Sequence, residues 1–313
     1  MAFLDHADTA LPGELTMRMV EAAKAGAMEA LRNRAIGLKA QAKSAADGDI
    51  VTQGDQASQA VIFTLLPARG MIAGREEVIG FFGEETMHAG YQFPDNAEFR
   101  WCIDPVDGTK PYYNGEPFWS VSAALQKRTA EGRWESIAGV VYRATAEDRP
   151  DCLCGTVYWA EKGKGAYALD VISNHQVRLA APVNIQPVAE FEIHPEVQSL
   201  QSQAYAAHAA SLLEAKGIAT AWRRSICHSV CEMLEGEKAA VIQGVAGPFD
   251  WDIAAISVIA KEAGVHASFE PALQVEGAWR YPAIMAWDKE LFDSLKAISL
   301  TLPHNQGNQA VTR

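Results

Sequence analysis

Residues 99–109 read Phe-Arg-Trp-Cys-Ile-Asp-Pro-Val-Asp-Gly-Thr. An apolar run, Trp101 to Ile103, ends in a carboxylate, a proline, a second carboxylate, a glycine and a threonine. The run reads as a buried strand, stopped by the proline and the glycine. Asp104 and Asp107 therefore fall where a strand leaves a sheet, the usual place for ligand groups in open α/β folds. Gly108 and Thr109 would open a turn or helix with outward-facing N–H groups, which suits an anion such as phosphate. Two carboxylates this close repel each other unless a positive charge lies between them. A hard divalent cation meets that need, and Mg²⁺ binds through a few carboxylates plus water and substrate phosphate. The competing reading is a plain Asp-rich turn, since Asp, Pro and Gly are common turn residues.

Two patterns lie close and fail. An EF-hand loop needs acids at alternate positions before its glycine, where this chain has Pro105 and Ile103. Phosphatases of the haloacid dehalogenase type separate their two aspartates by one residue, and here there are two. The stretch resembles instead the Asp-Pro-x-Asp-Gly-Thr signature of the inositol monophosphatase family. Other segments are similar to that family's elements and follow in the same order. They are Val51-Thr52-Gln53-Gly54-Asp55, Gly83-Glu84-Glu85, and Trp251-Asp252-Ile253-Ala254-Ala255 with Glu262-Ala263-Gly264. The resemblance thus runs over about residues 15–290.

The resemblance implies an α/β fold, a layered α/β/α/β/α sandwich of the inositol monophosphatase/fructose-1,6-bisphosphatase type. Residues 1–184 would form an N-terminal α+β half carrying most metal ligands, residues 185–302 a C-terminal α/β half, and 303–313 a disordered tail. The implied cofactor is Mg²⁺, two ions and a weaker third. Glu84, Asp104 and the carbonyl of Val106 would hold the first ion; Asp104, Asp107 and Asp252 would hold the second. Glu84 would also help to hold the third. Asp55 and Thr109 would orient and deprotonate the attacking water, and the N–H groups of Gly108 and Thr109 would bind phosphate. Lys43 is placed near the metal site, against the plain reading of a solvated lysine. Glu85 would be a supporting or solvated acid. The family is lithium-sensitive and commonly dimeric, which implies a homodimer.

The elements that must position these groups are legible in outline. Leu15 to Ile36 has helical spacing of apolar residues, and Asp55 opens a second amphipathic segment that Pro67 ends. Aspartate is also a good N-cap, so capping and function are compatible at Asp55. Val78 to Phe82 reads as a buried strand delivering Glu84 and Glu85. Strands are expected at 119–125, 137–142 and 156–160, with a hairpin turn at 161–167 and a surface loop at 144–155. The prolines and polar residues at 181–187 mark a junction. The second half alternates helices at 201–216 and 226–234 with strands at 239–242 and 282–287, and a last helix follows Asp288. Asp252 lies in the first turn of a helix; taken alone it is an acid favoured by the helix dipole.

The 313 residues are 49% hydrophobic and 21% charged, which allows a sizeable core. The formal charge of −12, with no Lys/Arg-rich run, argues against a nucleic-acid polymer or an anionic membrane as partner. It leaves room for a small phosphorylated metabolite, because bound metal reverses the local field. No signal sequence and no membrane-spanning stretch is visible, so the cytoplasm is the default. Five cysteines at scattered spacing do not suggest a disulfide framework. Cys227-His228-x-x-Cys231 hints at zinc but lacks a second ligand pair.

The activity implied is that of a phosphoric monoester hydrolase acting by in-line attack of water on a small soluble phosphate, of the inositol-1-phosphate type. Lys110 to Gly115 departs from the family's pattern. Thr109-Lys110 resembles the branch acting on 3′-phosphoadenosine 5′-phosphate, and Gly115-x-Pro117-x-Trp119 resembles the histidinol-phosphate phosphatases. The position of a glutamate that contacts inositol in the family is here Val245. Arg223 and Arg224 read equally as substrate-side cations or a solvated pair. The remote alternative is a metal-binding regulatory protein without catalysis.

Overall fold

A computed structural model describes residues 12–42, 50–87, 97–192, 200–221, 224–244, 247–269, 273–275 and 278–301. The chain begins with α1 (Glu14–Ile36), the short pair β1 (Ala40–Ala42) and β2 (Ile50–Thr52), and α2 (Gln53–Leu65). Next come β3 (Arg69–Ile72), β4 (Arg75–Gly83), α3 (Glu84–Met87), β5 (Phe99–Asp107) and α4 (Thr109–Tyr113). The antiparallel run β6 (Ser120–Arg128), β7 (Trp134–Arg143), β8 (Thr156–Glu161), β9 (Gly165–Asp170) and β10 (Gln176–Arg178) follows. The second half holds β11 (Val188–Glu192), α5 (Leu200–Ala215), β12 (Ala219–Ala221), α6 (Ile226–Leu234), β13 (Ala240–Gln243) and α7 (Asp250–Ala263). It closes with β14 (His266–Phe269), β15 (Leu273–Val275), β16 (Ala278–Arg280), β17 (Ala283–Ala286) and α8 (Lys289–Thr301).

Strands β3 to β10 form one sheet in sequence order, and β12-β11-β13-β17-β14 form a second. The period of two in each strand decides what lies on either face. In β8, Val157 and Trp159 join the core that α1 and α2 build, while Tyr158 and Ala160 join the core of α6 and α7. In β13, Val241 faces α6 and α7, whereas Ala240 and Ile242 face α5 and α8. The layers are therefore helix, sheet, helix, sheet, helix, as the resemblance implied. Helix α7 is the middle layer, which explains why it is apolar nearly all round. Its Ile256 and Ile259 are 0% and 1% exposed, and each contributes roughly 1.5–3 kcal/mol by burial.

The Glu262-Ala263-Gly264 element has a physical role of its own. The Glu262 carboxylate accepts the N–H groups of Gly163 and Gly165 at 2.8 and 2.9 Å, pinning the β8–β9 turn onto the end of α7. Ala263 is buried, and Gly264 ends the helix at φ 90°. The expected helices and strands are all present, with ends shifted by a few residues at most. One boundary differs in kind: β5 runs through Pro105 to Asp107. The β5–β6 register is irregular between Asp104 and Asp107, so the proline sits where its missing N–H costs no ladder bond.

Candidate metal centre

Two parallel strands aim the first ligands. β4 pairs with β5 so that Gly83 lies opposite Ile103, and the next residues are Glu84 and Asp104. Glu84 opens α3, half-buried, and Asp104 is 1% exposed. Past the irregularity, β5 delivers Asp107 before the chain turns at Gly108 into α4. Asp252 arrives from the second half, in the first turn of α7. Ligand oxygens of Asp104, Asp107 and Asp252 all lie within 4.8 Å of one another.

The contacts to these carboxylates come from neutral donors. Asp104 accepts the N–H of Val106 at 3.0 Å. Asp107 accepts the Ser225 hydroxyl at 2.6 Å and the Cys227 N–H at 2.7 Å. Asp252 accepts the N–H of Phe249 at 2.6 Å, closing the start of α7. Burial pushes the Asp104 and Asp252 carboxyls well above the carboxylate range, and the Glu84 charge adds to it in both. Asp107 is pushed up to about 6 by burial, against the Ser225 and Cys227 hydrogen bonds that lower it. Three carboxylates within 4.8 Å of one another, with neutral donors as their hydrogen-bond partners among the described residues, make an oxygen-only donor set that fits a hard divalent cation.

Beside this cluster lies a hydroxyl–carboxylate pair. The Thr109 hydroxyl is 2.9 Å from Asp55 Oδ1 and 3.2 Å from the Val106 carbonyl. The other oxygen of Asp55 accepts the N–H and the hydroxyl of Thr52 at 2.9 and 2.5 Å. Asp55 is not the N-cap its sequence suggested: Thr52 caps α2, and Asp55, three residues on, closes the capping box and holds Thr109. Gly108 has φ 89°, and a Cβ there would stand 2.8 Å from the Phe118 carbonyl and 2.9 Å from Ser225 Cβ. Only glycine lets the turn take this conformation with α6 so close.

The structure thus brings together Asp55, Glu84, Asp104, Val106, Asp107, Gly108, Thr109 and Asp252. Glu85 is buried beside them, its N–H donating to Gln59 Oε1 at 3.1 Å. Lys43, Arg223 and Val245 lie outside the described residues. Cys227, His228 and Cys231 do not converge on one point. The Cys227 thiol donates to the Asp252 carbonyl at 3.2 Å, while the His228 ring lies 3.6 Å from Glu232. Sequence reasoning missed Ser225, whose hydroxyl caps α6 and also holds Asp107. A serine directly before an apolar helix is a capping signal that could have found it. Lys110 to Gly115 gains a packing explanation: Tyr112 is fully buried, donates to the Ala30 carbonyl at 2.6 Å and packs edge-on against Trp119.

The model of the inositol monophosphatase family matches residues 13–289. The chain belongs to that family. Among its similar curated relatives is an inositol-1-monophosphatase of Caulobacter vibrioides, 31% identical over 149 residues, covering 48% of this chain and 50% of the relative. A histidinol-phosphatase of Mycobacterium tuberculosis is 26% identical over 257 residues, covering 80% of this chain and 85% of the relative. The chain spans half or less of the length of several curated relatives it matches, 31% of an Aquifex aeolicus protein among them. The extragenic suppressor protein suhB from Bartonella henselae shares the fold, with a TM-score of 0.66 at 21% identity over 92% of this chain and 100% of that one. Among the described residues no helix is long and apolar enough to cross a membrane.

Proposed function

We propose that the protein is a Mg²⁺-dependent phosphomonoesterase acting on a small phosphorylated metabolite. The observation that carries this reading is the meeting of Asp104, Asp107 and Asp252 oxygens within 4.8 Å, where the C-terminal end of β5 meets the start of α7. Glu84, Asp104 and the Val106 carbonyl would hold one ion, and Asp104, Asp107 and Asp252 a second, with a weaker third beside Glu84. Bound there, magnesium supplies positive charge for the phosphoryl oxygens and lowers the pKa of water.

The chain's own residues do the rest. Asp55, held by Thr52, keeps the Thr109 hydroxyl in place, and the pair orients a water and takes its proton. The turn at Gly108 and Thr109 presents N–H groups to phosphate. No covalent nucleophile is needed: water attacks phosphorus in line as the ester oxygen leaves. Family resemblance supports a homodimer.

Two substrate readings are worth separating. An inositol-1-phosphate type of substrate leads. Histidinol phosphate is favoured by Gly115-x-Pro117-x-Trp119 and by the long alignment with the Mycobacterium tuberculosis histidinol-phosphatase. Phosphate release from inositol 1-phosphate, histidinol phosphate, 3′-phosphoadenosine 5′-phosphate and fructose 1,6-bisphosphate, compared as kcat/KM, decides between them. One preferred substrate is expected; Mg²⁺ binding with no release from any of the four would favour the regulatory alternative.

A further inference from the structure

We propose that the buried Arg100–Asp250 pair is a positioning clamp that aims Asp252 into the carboxylate cluster and so sets the cluster's affinity for its cations. This rests on the reading of the cluster as a cation site. Arg100 and Asp250 are each 5% exposed and 150 residues apart in sequence, with Nη2 and Oδ1 3.3 Å apart. Arg100 stands on β5 four residues before Asp104, and Asp250 opens α7 two residues before Asp252. The period of two puts Arg100, Cys102 and Asp104 on one face of the sheet, and Cys102 packs into the core that α7 shares. The pair therefore ties the strand that carries one ligand to the helix that carries another.

Both partners are fixed on every side. The Arg100 Nε donates to Gln126 at 2.7 Å, and its guanidinium lies 4.1 Å from the Phe82 ring centre and 4.5 Å from that of Trp134. Asp250 accepts the Trp279 N–H at 2.7 Å and the Tyr281 hydroxyl at 3.1 Å. The Tyr281 N–H in turn donates to the Pro248 carbonyl at 2.8 Å. Residues 248–252 are thus held between β5 on one side and 279–281 on the other. Asp252 takes its orientation from the same segment, through the Phe249 N–H.

Stability alone does not account for this arrangement. A buried ion pair is often no better than a well-packed apolar pair of similar volume. What the pair supplies is geometry, held by directional bonds at a point two residues from a ligand. Partners that orient metal ligands typically change metal affinity 10–100-fold when removed.

The test is calorimetric titration of Mg²⁺ into the chelator-stripped full chain, as wild type, Asp250→Asn and Arg100→Lys, with melting curves for each. The clamp predicts folded variants whose Mg²⁺ affinity falls 10–100-fold and whose turnover recovers at higher Mg²⁺. A folded variant that melts earlier but binds Mg²⁺ with wild-type affinity overturns the clamp. Hydrogen exchange in the wild type serves even where both variants fail to fold. By reciprocity, Mg²⁺ binding must slow exchange of the Trp279 amide that Asp250 holds, and an unchanged rate overturns the clamp. Wild-type protein that binds no Mg²⁺ instead overturns the cation reading itself, and the clamp with it.

Discussion

Stripping divalent cations should invert the protein's response to acid between about pH 7 and pH 5. Asp107 is 6% exposed, and burial raises it from 3.8 to about 6 in the folded chain. Between those values the native state binds more protons than the unfolded state, so stability falls as pH rises. The destabilisation is absent below about pH 4 and fully present above about pH 6. At 1.36 kcal/mol per unit it amounts to about 3 kcal/mol, of which roughly half is recovered on acidifying to pH 5. Asp104 and Asp252 are raised too and act in the same direction. A chain of this size gains about 2 °C per kcal/mol, so Asp107 alone predicts a rise of roughly 3 °C in melting temperature. With saturating Mg²⁺ the sign reverses, because protons then compete with the bound cation. The assay is thermal melting at both pH values, with chelator and with Mg²⁺, so that background titrations common to both conditions cancel. Equal acid responses in chelator and in Mg²⁺ would refute the reasoning.

Three substitutions extend the account. Asp104→Asn removes the carboxylate that the others crowd most; it should raise the melting temperature of chelated protein while lowering turnover about 10³-fold or more. Thr109→Val removes the hydroxyl between Asp55 and the Val106 carbonyl, and kcat should fall ~10²–10⁴-fold with Mg²⁺ affinity unchanged by calorimetry. Lys238→Met strips the counter-charge from buried Glu190 and Glu232, and denaturant unfolding should register a loss of ~3–5 kcal/mol without altered Mg²⁺ dependence.

What the sequence made legible was local. The apolar run before Asp104, the helical spacing from Leu15 and the apolar helix after Trp251 each carry their own period, and each appears in place. At Asp55 the sequence pointed to the start of α2, but the cap itself is Thr52, and the two oxygens of Asp55 divide between Thr52 and Thr109. What stayed hidden was set by distance along the chain. Ser225 meets Asp107 across 118 residues, and Arg100 meets Asp250 across 150. Neither contact has a local pattern, since it exists only once two sheets sandwich α6 and α7. Pro105 misled for the opposite reason. Its local rule is to stop a strand, and the register irregularity beside it lets the strand go on to Asp107.

The central claim is that the Asp104–Asp107–Asp252 cluster holds divalent cations that make phosphate-ester hydrolysis possible. Its most direct test is phosphate release from the four-compound panel by wild-type protein and by Asp104→Asn, each with Mg²⁺ and with excess chelator. The account predicts turnover by wild type with Mg²⁺, none with chelator, and near-background release by the variant in both. Release that survives chelation, or a variant that turns over at the wild-type rate, would contradict it.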